Sequence, residues 1–365
     1  MYPDYDRISL PAQPSIEEVL RLHAGFYREM QPTDAVKLLY QAAFGPGHMI
    51  SDPAAALERT CREMESVTFL PSLPGDGTPV FEEIGGCYAR LYLNPGISPR
   101  LVTRLFTASA NAPVKDSADF MDSLSLLHRL TAEGVFGFSS DELEEYLDGY
   151  IRSGMPAVSH SEAYRNVYHP AYRVVRREYA RLLPLLNRIE KHIEENGSCV
   201  LVIDGFCASG KSTMARSIAQ AYDTRLIHMD DFFLPPEKRT PERFAEPGGN
   251  VDYERFKAEV VNHIADDELA YGVFDCSEMA VTSHVTLPKK PLTIIEGAYS
   301  HHPSFGDYYD LDVFMETSPQ EQLKRIRERD GEEYLPMFVN RWIPFEQAYE
   351  SAYHVRARSL YLIET

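Results

Sequence analysis

Residues 205–212 read Gly-Phe-Cys-Ala-Ser-Gly-Lys-Ser and match the pattern G-x-x-x-x-G-K-[S/T] at every fixed position. An apolar run at residues 199–204 precedes this stretch, and a helix-compatible segment at residues 213–222 follows it. In such a strand–loop–helix unit the glycines let the backbone curl, so that its N–H groups point inward at phosphate oxygens. The N-terminus of the helix adds a positive partial charge. The stretch therefore predicts a phosphate-binding loop.

The loop carries two side chains with expected chemical roles. Lys211 is expected to reach the β- and γ-phosphates of a nucleotide, and the Ser212 hydroxyl is expected to bind Mg²⁺. The residues expected to contact the nucleotide through this loop are Gly205, Ala208, Ser209, Gly210, Lys211, Ser212 and Thr213. Two alternatives stay open at this point: a chance glycine-rich turn, and a loop that binds nucleotide without catalysis.

Short apolar runs alternate with amphipathic helical segments throughout the second half of the chain. The runs lie at residues 199–203, 225–229, 292–295, 311–315 and 359–363. This alternation predicts a parallel sheet in an α/β fold. In open α/β sheets, ligands bind outside the carboxyl ends of the strands, so the polar residues at those ends are the candidates for chemistry.

Carboxylates follow two of these predicted strands. Asp230 and Asp231 come directly after the run 225–229, and Glu296 ends the run 292–295. A carboxylate at this place can accept the proton of an incoming hydroxyl or hold Mg²⁺. Ser212, Asp230 and Glu296 are therefore the predicted metal ligands, with a helix cap or plain turn as the alternative role for each acid. The sequence leaves open which aspartate is the acid–base group, although the local register favours Asp230.

A cationic stretch follows the fourth run at helical spacing. It contains Lys324, Arg325, Arg327 and Arg329. Phosphoryl transfer leaves charge on the equatorial oxygens, which arginine can stabilise with paired hydrogen bonds. The alternative is a solvated helix face held by pairs such as Glu321 with Arg325.

Taken in chain order, the motifs of residues 197–365 resemble those of the uridine kinase and phosphoribulokinase group of P-loop kinases. The matching pieces are residues 204–213, 228–233, 247–253, 274–275, 295–297 and 325–330. The resemblance implies a P-loop kinase domain with a five-stranded parallel sheet flanked by helices. It also implies ATP and Mg²⁺ as cofactors, and transfer of the γ-phosphate to a hydroxyl of a small nucleoside-like or sugar-like molecule.

The same resemblance assigns individual roles. Lys211, Asp230, Glu296 and Arg327 are similar to catalytic residues of the group, with Asp230 as its acid–base aspartate. Arg325, Arg327 and Arg329 resemble the arginines of a lid that closes on ATP, and Asp252, Phe274 and Asp275 lie in segments that bind the acceptor. Phe274 stands where uridine kinases have a tyrosine, and residues 277–281 contain no histidine. Phosphoryl transfer is thus implied without uridine being fixed as the acceptor.

The first half predicts a mostly α-helical domain with a small β-hairpin. Ser15 with Glu18, and Ser139 with Glu142, form capping-box patterns ahead of apolar helical positions. Two β-rich runs at residues 79–84 and 87–93 are split by two glycines, which is typical of a hairpin. Residues 170–196 are predicted to form one long helix. We expect a helical domain of unknown role at 1–180, a helical linker at 181–196 and the kinase domain at 197–365.

Composition excludes several classes of protein. The chain has 365 residues with a formal charge of −19, and 44% of its residues are hydrophobic. The acidic balance argues against a general nucleic-acid binder and against attraction to an anionic membrane. No transmembrane helix, secretory signal or zinc motif is predicted, and five scattered cysteines favour a reducing cytoplasmic location. The expected partner is a small-molecule alcohol, and the oligomeric state stays open, a homo-oligomer included.

The sequence allows two classes of function. The first is an ATP- and Mg²⁺-dependent small-molecule kinase. The second is a nucleotide-binding sensor with little or no turnover, in which the helical half presents a surface to a partner. A variant of the first makes the helical half the specificity domain that closes over the acceptor.

Overall fold

The computed structural model describes residues 6–9, 13–47, 49–67, 80–112 and 117–365. The strands are β1 (Asp6–Ser9), β2 (Phe81–Glu83), β3 (Tyr88–Tyr92), β4 (Tyr172–Arg176), β5 (Cys199–Gly205), β6 (Thr224–His228), β7 (Glu268–Asp275), β8 (Ala280–Pro288), β9 (Leu292–Glu296), β10 (Leu311–Glu316) and β11 (Tyr361–Glu364). The helices are α1 (Ile16–Phe26), α2 (Pro32–Phe44), α3 (Pro53–Ser66), α4 (Pro99–Asn111), α5 (Ser117–Ala132), α6 (Ser140–Arg152), α7 (Glu162–Tyr168), α8 (Arg177–Arg181), α9 (Leu183–Asn196), α10 (Lys211–Ala221), α11 (Pro241–Ala245), α12 (Tyr253–Glu259), α13 (Pro319–Asp330), α14 (Leu335–Met337), α15 (Ile343–Tyr353) and α16 (Val355–Arg358).

The chain forms two compact units. Pro11–Asn187 makes up the first, called the helical unit below, and Arg188–Thr365 together with β1 makes up the second, called the sheet unit. The division after Asn187 falls within residues 181–196, and β1 comes from the segment that the sequence places in the helical domain. Among the described residues, no helix has the length and apolar character needed to cross a bilayer.

The helical unit begins its helices where the sequence predicts. The capping boxes at Ser15 and Ser139 are both formed, with the Glu18 and Glu142 side chains accepting from the backbone N–H of the cap residue. These reciprocal bonds satisfy N–H groups that the first helical turn leaves unpaired. The apolar faces of α1, α2, α5 and α6 then bury a common core of leucine, valine and aromatic side chains.

The predicted hairpin is confirmed as β2 and β3, but it carries a third strand. β4 pairs antiparallel with β3, so Val175 lies opposite Ala89. The prediction of one helix over residues 170–196 is therefore wrong for its first part, and α8 and α9 make up the rest. Val174 and Val175 are both buried, and such β-branched residues fit a pleated surface better than an exposed helix.

The sheet unit confirms the predicted parallel sheet and extends it. The strand order is β1-β11-β10-β5-β9-β6, and every neighbouring pair is parallel. The five apolar runs of the sequence form β5, β6, β9, β10 and β11, and β1 adds a sixth strand beside β11. Because β5 lies between β10 and β9, its carboxyl end lies near the middle of the edge formed by the carboxyl ends of the parallel strands.

A separate antiparallel hairpin, β7–β8, follows β6 in the chain. Arg225 of β6 is 1% exposed and reaches the carbonyls of Pro288, Ile264 and Asp266 at 3.0–3.1 Å. A guanidinium that satisfies three buried carbonyls ties the ends of this hairpin to the sheet.

We predict that Arg225→Met lowers the free energy of unfolding of the sheet unit by about 2–4 kcal/mol, because three carbonyls lose their donor. Urea denaturation followed by circular dichroism measures the change. The control is Arg216→Met at an exposed position of α10. Equal stability of the two variants would show that Arg225 does not secure the hairpin.

Candidate active site

The predicted phosphate loop lies between β5 and α10, with a glycine of positive φ at each end. Gly205 has a φ of +141°, and a Cβ there would lie 2.0 Å from the carbonyl oxygen of Met315. Gly210 has a φ of +98° and sits at the N-cap of α10. Both conformations favour glycine, and the first also requires it sterically. Between them, Ala208 adopts a left-handed φ of +58°, and Ser209 is fully buried.

Two side chains from the first turn of α10 point toward the loop and the sheet edge. The Lys211 ammonium donates to the carbonyls of Gly205 and Phe206, each at 2.9 Å, so it lies against the start of the curled loop. The Ser212 hydroxyl donates to Glu296 Oε2 at 3.0 Å. Thr213, the next residue, is exposed.

Glu296 brings the ends of three strands together. It pairs in register with Ile203 of β5 on one side and with His228 of β6 on the other. Its second oxygen lies 2.5 Å from His228 Nδ1, and this bond raises the pKa of His228 above its usual value. The buried carboxylate thus contacts a hydroxyl from α10 and an imidazole from β6.

The two aspartates after β6 have different surroundings. Asp231 accepts a hydrogen bond from the Tyr271 hydroxyl at 3.1 Å. Asp230 is exposed, and within the described part of the chain no hydrogen bond to its carboxylate is formed. Surrounding protein raises the pKa of Asp230; Lys211 opposes this shift, and Glu296 adds to it. Asp230 is therefore the carboxylate left available to an incoming group, which agrees with the register of the sequence.

The oxygen donors at this edge suit a magnesium ion. Mg²⁺ prefers carboxylate and hydroxyl oxygens and keeps several waters and phosphate ligands of its own. Ser212 and Glu296 already lie within 3.0 Å of each other, and Asp230 lies close enough for its pKa to respond to Glu296. The three residues predicted as metal ligands therefore supply a donor set that fits Mg²⁺.

Asp204, which ends the apolar run just before Gly205, is a buried anchor beneath the loop. Its carboxylate accepts from the backbone N–H groups of Gly205 and Tyr299, from that of His301, and from the Tyr349 hydroxyl, at 2.6–3.1 Å. Burial alone would raise the pKa of Asp204, but the His301 side chain, with the backbone N–H groups of His301 and Gly205, holds it below the usual value. The sequence pattern predicts no role for Asp204, although an acid at the end of an apolar strand is a signal that could have marked it.

His301 lies between Asp204 and a second buried acid. Its Nε2 is 3.1 Å from Asp312 Oδ2, and its Nδ1 is 3.4 Å from Asp204 Oδ2. Burial opposes the charge, but the two carboxylates raise the pKa of His301 to about 9. His301 is therefore a charged group that ties β5 to β10 below the loop.

A third buried acid reaches the loop from α15. Glu346 accepts from the backbone N–H of Cys207 at 2.8 Å. Burial raises its pKa to about 7, although the Lys211 charge opposes the shift. Glu346 lies 139 residues after Cys207 in the chain, so no local sequence signal marks it.

The predicted lid arginines lie on α13 and make different contacts. Arg325 donates to the loop carbonyl of Ala208 at 3.2 Å and to the Thr365 hydroxyl at 2.8 Å. Arg327 is ion-paired with Glu332, and Arg329 is paired with Asp330 and lies 5.8 Å from the ring of Phe338. All three arginines pair with neighbouring acids, Arg325 with Glu321 at 3.0 Å as in the alternative interpretation of the sequence, and Arg325 also contacts the loop.

The predicted acceptor-binding residues have local partners. Asp252 is 2% exposed, caps α12 and forms an ion pair with Lys238 at 2.8 Å. Asp275 accepts from the backbone N–H and the hydroxyl of Ser277 in the turn of the β7–β8 hairpin, and Phe274 is buried beside it. These contacts show how the three residues are held and do not join them to the loop.

Comparisons with known proteins complete the description. No family model matches the chain, and no curated protein matches it. A possible uridine kinase from Bacillus stearothermophilus is similar in structure, with 21% identity and a TM-score of 0.37, over 49% of this chain and 99% of the other. D-glycerate 3-kinase from Cryptococcus neoformans is similar with 11% identity and a TM-score of 0.33, over 49% of this chain and 92% of the other. These identities carry neither activity nor substrate across.

The charge of His301 predicts a pH-dependent stability. Its pKa is about 9 in the folded protein against 6.5 for an ordinary histidine. The stabilisation is therefore complete below pH 6.5 and is lost as the pH rises through 9. We expect His301→Asn to lower the unfolding free energy by about 1–3 kcal/mol at pH 6, with the difference shrinking toward pH 9.5. Urea titrations of both proteins across this range measure it, and a difference independent of pH would contradict the assignment.

The position of Glu346 predicts pH-dependent nucleotide binding. Above pH 7 its carboxylate is charged and repels phosphate groups in the loop, and below pH 7 this repulsion is removed. We expect the affinity for MgATP to fall about tenfold between pH 6 and 8, and Glu346→Gln to flatten this dependence. Isothermal titration calorimetry measures the affinity, with Glu350→Gln on the same helix as the control. An unchanged slope in Glu346→Gln would show that another group sets it.

Proposed function

We propose that the sheet unit transfers the γ-phosphate of MgATP to a hydroxyl group of a small molecule. One observation carries the proposal: the loop lysine, the Ser212–Glu296 pair and the open carboxylate of Asp230 meet at the carboxyl edge of one parallel sheet. Positioning and charge stabilisation are what phosphoryl transfer requires of a protein, since little covalent chemistry is left to it.

The residues divide the work by their chemistry. Backbone N–H groups of the loop bind the phosphates, and Lys211 turns its ammonium from the loop carbonyls to the β- and γ-oxygens as charge develops there. Ser212 and Glu296 would hold a Mg²⁺ ion, which would supply positive charge to the same oxygens. His228 fixes the orientation of Glu296 through its bond to Oε1.

Asp230 accepts the proton of the attacking hydroxyl. The pKa of Asp230 is raised above its usual value, and a carboxylate with a higher pKa is a stronger base. No described residue donates a hydrogen bond to this carboxylate, so both of its oxygens are available. Asp231 cannot take this place as readily, because Tyr271 occupies one of its oxygens. Arg325 braces the loop through Ala208, and Arg327 and Arg329 reach the nucleotide only if they exchange their present acidic partners.

The test is release of ADP from MgATP against a panel of nucleosides, pentoses, pantothenate and glycerate. We expect one acceptor class to give turnover that Lys211→Ala reduces by about a thousandfold. Asp230→Asn is expected to lower kcat by about 100-fold or more with little change in the KM for ATP. The matched control is Asp223→Asn, a surface acid paired with Lys290, which is expected to retain full activity.

The outcomes separate the competing functions. Binding of MgATP with no turnover on any acceptor would favour the nucleotide sensor. Turnover that survives Asp230→Asn would leave the kinase and remove Asp230 as the base. Turnover that survives Lys211→Ala would overturn the assigned site as a whole.

A further inference from the structure

The helical unit holds a buried cluster of polar side chains that phosphoryl transfer does not use. Its members, called the helical-unit cluster below, are Asp34, Lys37, Gln41, Arg90, His160 and Tyr172. Asp34, Lys37 and Gln41 lie at i, i+3 and i+7 of α2 and therefore share one face of that helix. Arg90 comes from β3, Tyr172 from β4, and His160 from the segment before α7.

Asp34 is the fixed point of the cluster. It is completely buried and accepts four hydrogen bonds: from the backbone N–H groups of Gln31 and Ser161, from the Ser161 hydroxyl, and from His160 Nδ1 at 2.8 Å. Burial alone would raise its pKa, but these donors, the His160 bond foremost, hold it below the usual value. Asp34 is thus an ionised carboxylate, and it requires His160 to carry its proton on Nδ1.

Because Nδ1 of His160 carries the proton, its Nε2 is left to accept a hydrogen bond from Tyr172. Burial lowers the pKa of His160 to about 4, and Arg90 and Lys37 act in the same direction. The imidazole is therefore neutral at pH 7, and its unprotonated Nε2 accepts a hydrogen bond from the Tyr172 hydroxyl at 2.7 Å. The ring is held by stacking on Tyr164, with centroids 4.2 Å apart. Asp34, His160 and Tyr172 form a carboxylate–imidazole–hydroxyl chain, the arrangement that activates hydroxyl groups in hydrolases.

The two cations of the cluster differ in their partners. Arg90 is 1% exposed, donates to Gln41 Oε1 at 2.9 and 3.0 Å, and lies 4.7 Å from the centroid of the Tyr172 ring. Glu82 lies 4.0 Å from it and balances its charge. Lys37 donates to the carbonyl of Val158 at 2.8 Å, and no carboxylate of the described residues lies within ion-pair distance of it.

Among the described residues, Lys37 therefore has no carboxylate as an ion-pair partner, although the nearby charge of Asp34 favours its protonated form. The oxygens of Asp34 are taken by four donors, so this carboxylate cannot also pair with Lys37. Burial lowers the pKa of Lys37 to about 8, which is the cost of holding an unpaired ammonium there. Lys37 and Tyr172 are half-buried, whereas Asp34 and Arg90 are fully buried, so of these four residues Lys37 and Tyr172 are the ones that solvent reaches.

We propose that the helical-unit cluster is a second active site, which binds the anionic group of a small molecule at Lys37 and removes a proton from that molecule through Tyr172 and His160. In this step the substrate X–H bond breaks and its proton joins the Tyr172 oxygen, while the phenol's own proton moves to His160 Nε2. The electron pair stays on the substrate, and the imidazolium formed keeps its Nδ1–H bond to the Asp34 carboxylate. The supporting argument is that a buried network of ionised groups is a poor way to stabilise a core, because apolar packing does so at lower cost.

The first experiment tests the anion site by competitive labelling of the full-length protein. Trace acetic anhydride modifies lysines in proportion to their free amine, and mass spectrometry compares Lys37 with Lys191, an exposed lysine on α9. We expect Lys37 to titrate near pH 8, and inorganic phosphate to protect it at least threefold while leaving Lys191 unchanged. Protection is expected to be lost in Tyr172→Phe, which removes one hydroxyl from the site.

Each labelling outcome decides the question. A Lys37 that phosphate does not protect would overturn the anion site, even if the amine is reactive. Protection that persists unchanged in Tyr172→Phe would remove Tyr172 from the site. Thermal unfolding of Tyr172→Phe, expected within a few degrees of the parent protein, separates loss of binding from loss of structure.

The second experiment tests the proton path. Long-range ¹H–¹⁵N spectra of histidine-labelled protein report which ring nitrogen of His160 carries the proton, with His160→Gln for assignment. We expect Nδ1 protonated and Nε2 unprotonated from pH 5.5 to 8. A doubly protonated ring at pH 7, or a proton on Nε2 alone, would overturn the proposed path.

Discussion

The Asp204 carboxylate is the contact on which the geometry of the phosphate loop depends. It lies at the last position before the chain enters the loop. It accepts hydrogen bonds from the backbone N–H of Gly205 in the loop, and from those of Tyr299 and His301 in the segment after β9. The hydroxyl of Tyr349 adds a contact from α15. One buried side chain therefore fixes the position of the loop relative to the segment after β9 and to α15.

A buried carboxylate of this kind needs compensation, and the sheet supplies it. Asp204 with Asp312 would place two negative charges in the core, at a high cost in free energy. His301 between them balances part of that charge and links β5 to β10. On the same two strands, Gly205 packs against the carbonyl of Met315 without room for a side chain. The ion pair and the close backbone approach thus act together on one strand pair.

The sequence predicted the parts of the fold that buried apolar runs and fixed local patterns encode. Each of the five parallel strands is such a run, and the loop motif places Lys211 and Ser212 without reference to the rest of the chain. The sequence does not predict β8, because most of its residues are exposed and apolar and polar positions do not alternate along it. The sequence does not predict β4, because the apolar residues that follow it recur at helical spacing and this spacing continues back into Tyr172–Arg176.

In the candidate site too, the sequence predicts the residues that follow local or topological rules and misses those placed by tertiary packing. Asp230 and Glu296 could be named because the carboxyl ends of parallel strands meet at one edge, which is a rule of topology and not of spacing. Glu346 and Tyr271 could not, since each reaches the site from an element whose place is fixed only by tertiary packing. Asp252 carries a motif position, yet its cap and its ion pair with Lys238 are contacts that only the folded chain shows.

His301 and His160 show how surroundings, and not residue type, decide protonation. His301 lies between two carboxylates, and their combined charge outweighs burial, so its pKa rises to about 9. At His160, burial together with the nearby charges of Arg90 and Lys37 outweighs the single carboxylate of Asp34, so its pKa falls to about 4. A histidine such as His301, which is charged at neutral pH, serves as a structural counter-ion. A histidine that is held neutral, with Nδ1 bonded to Asp34 and Nε2 facing the Tyr172 hydroxyl, instead has its tautomer and its ring orientation set by these neighbours.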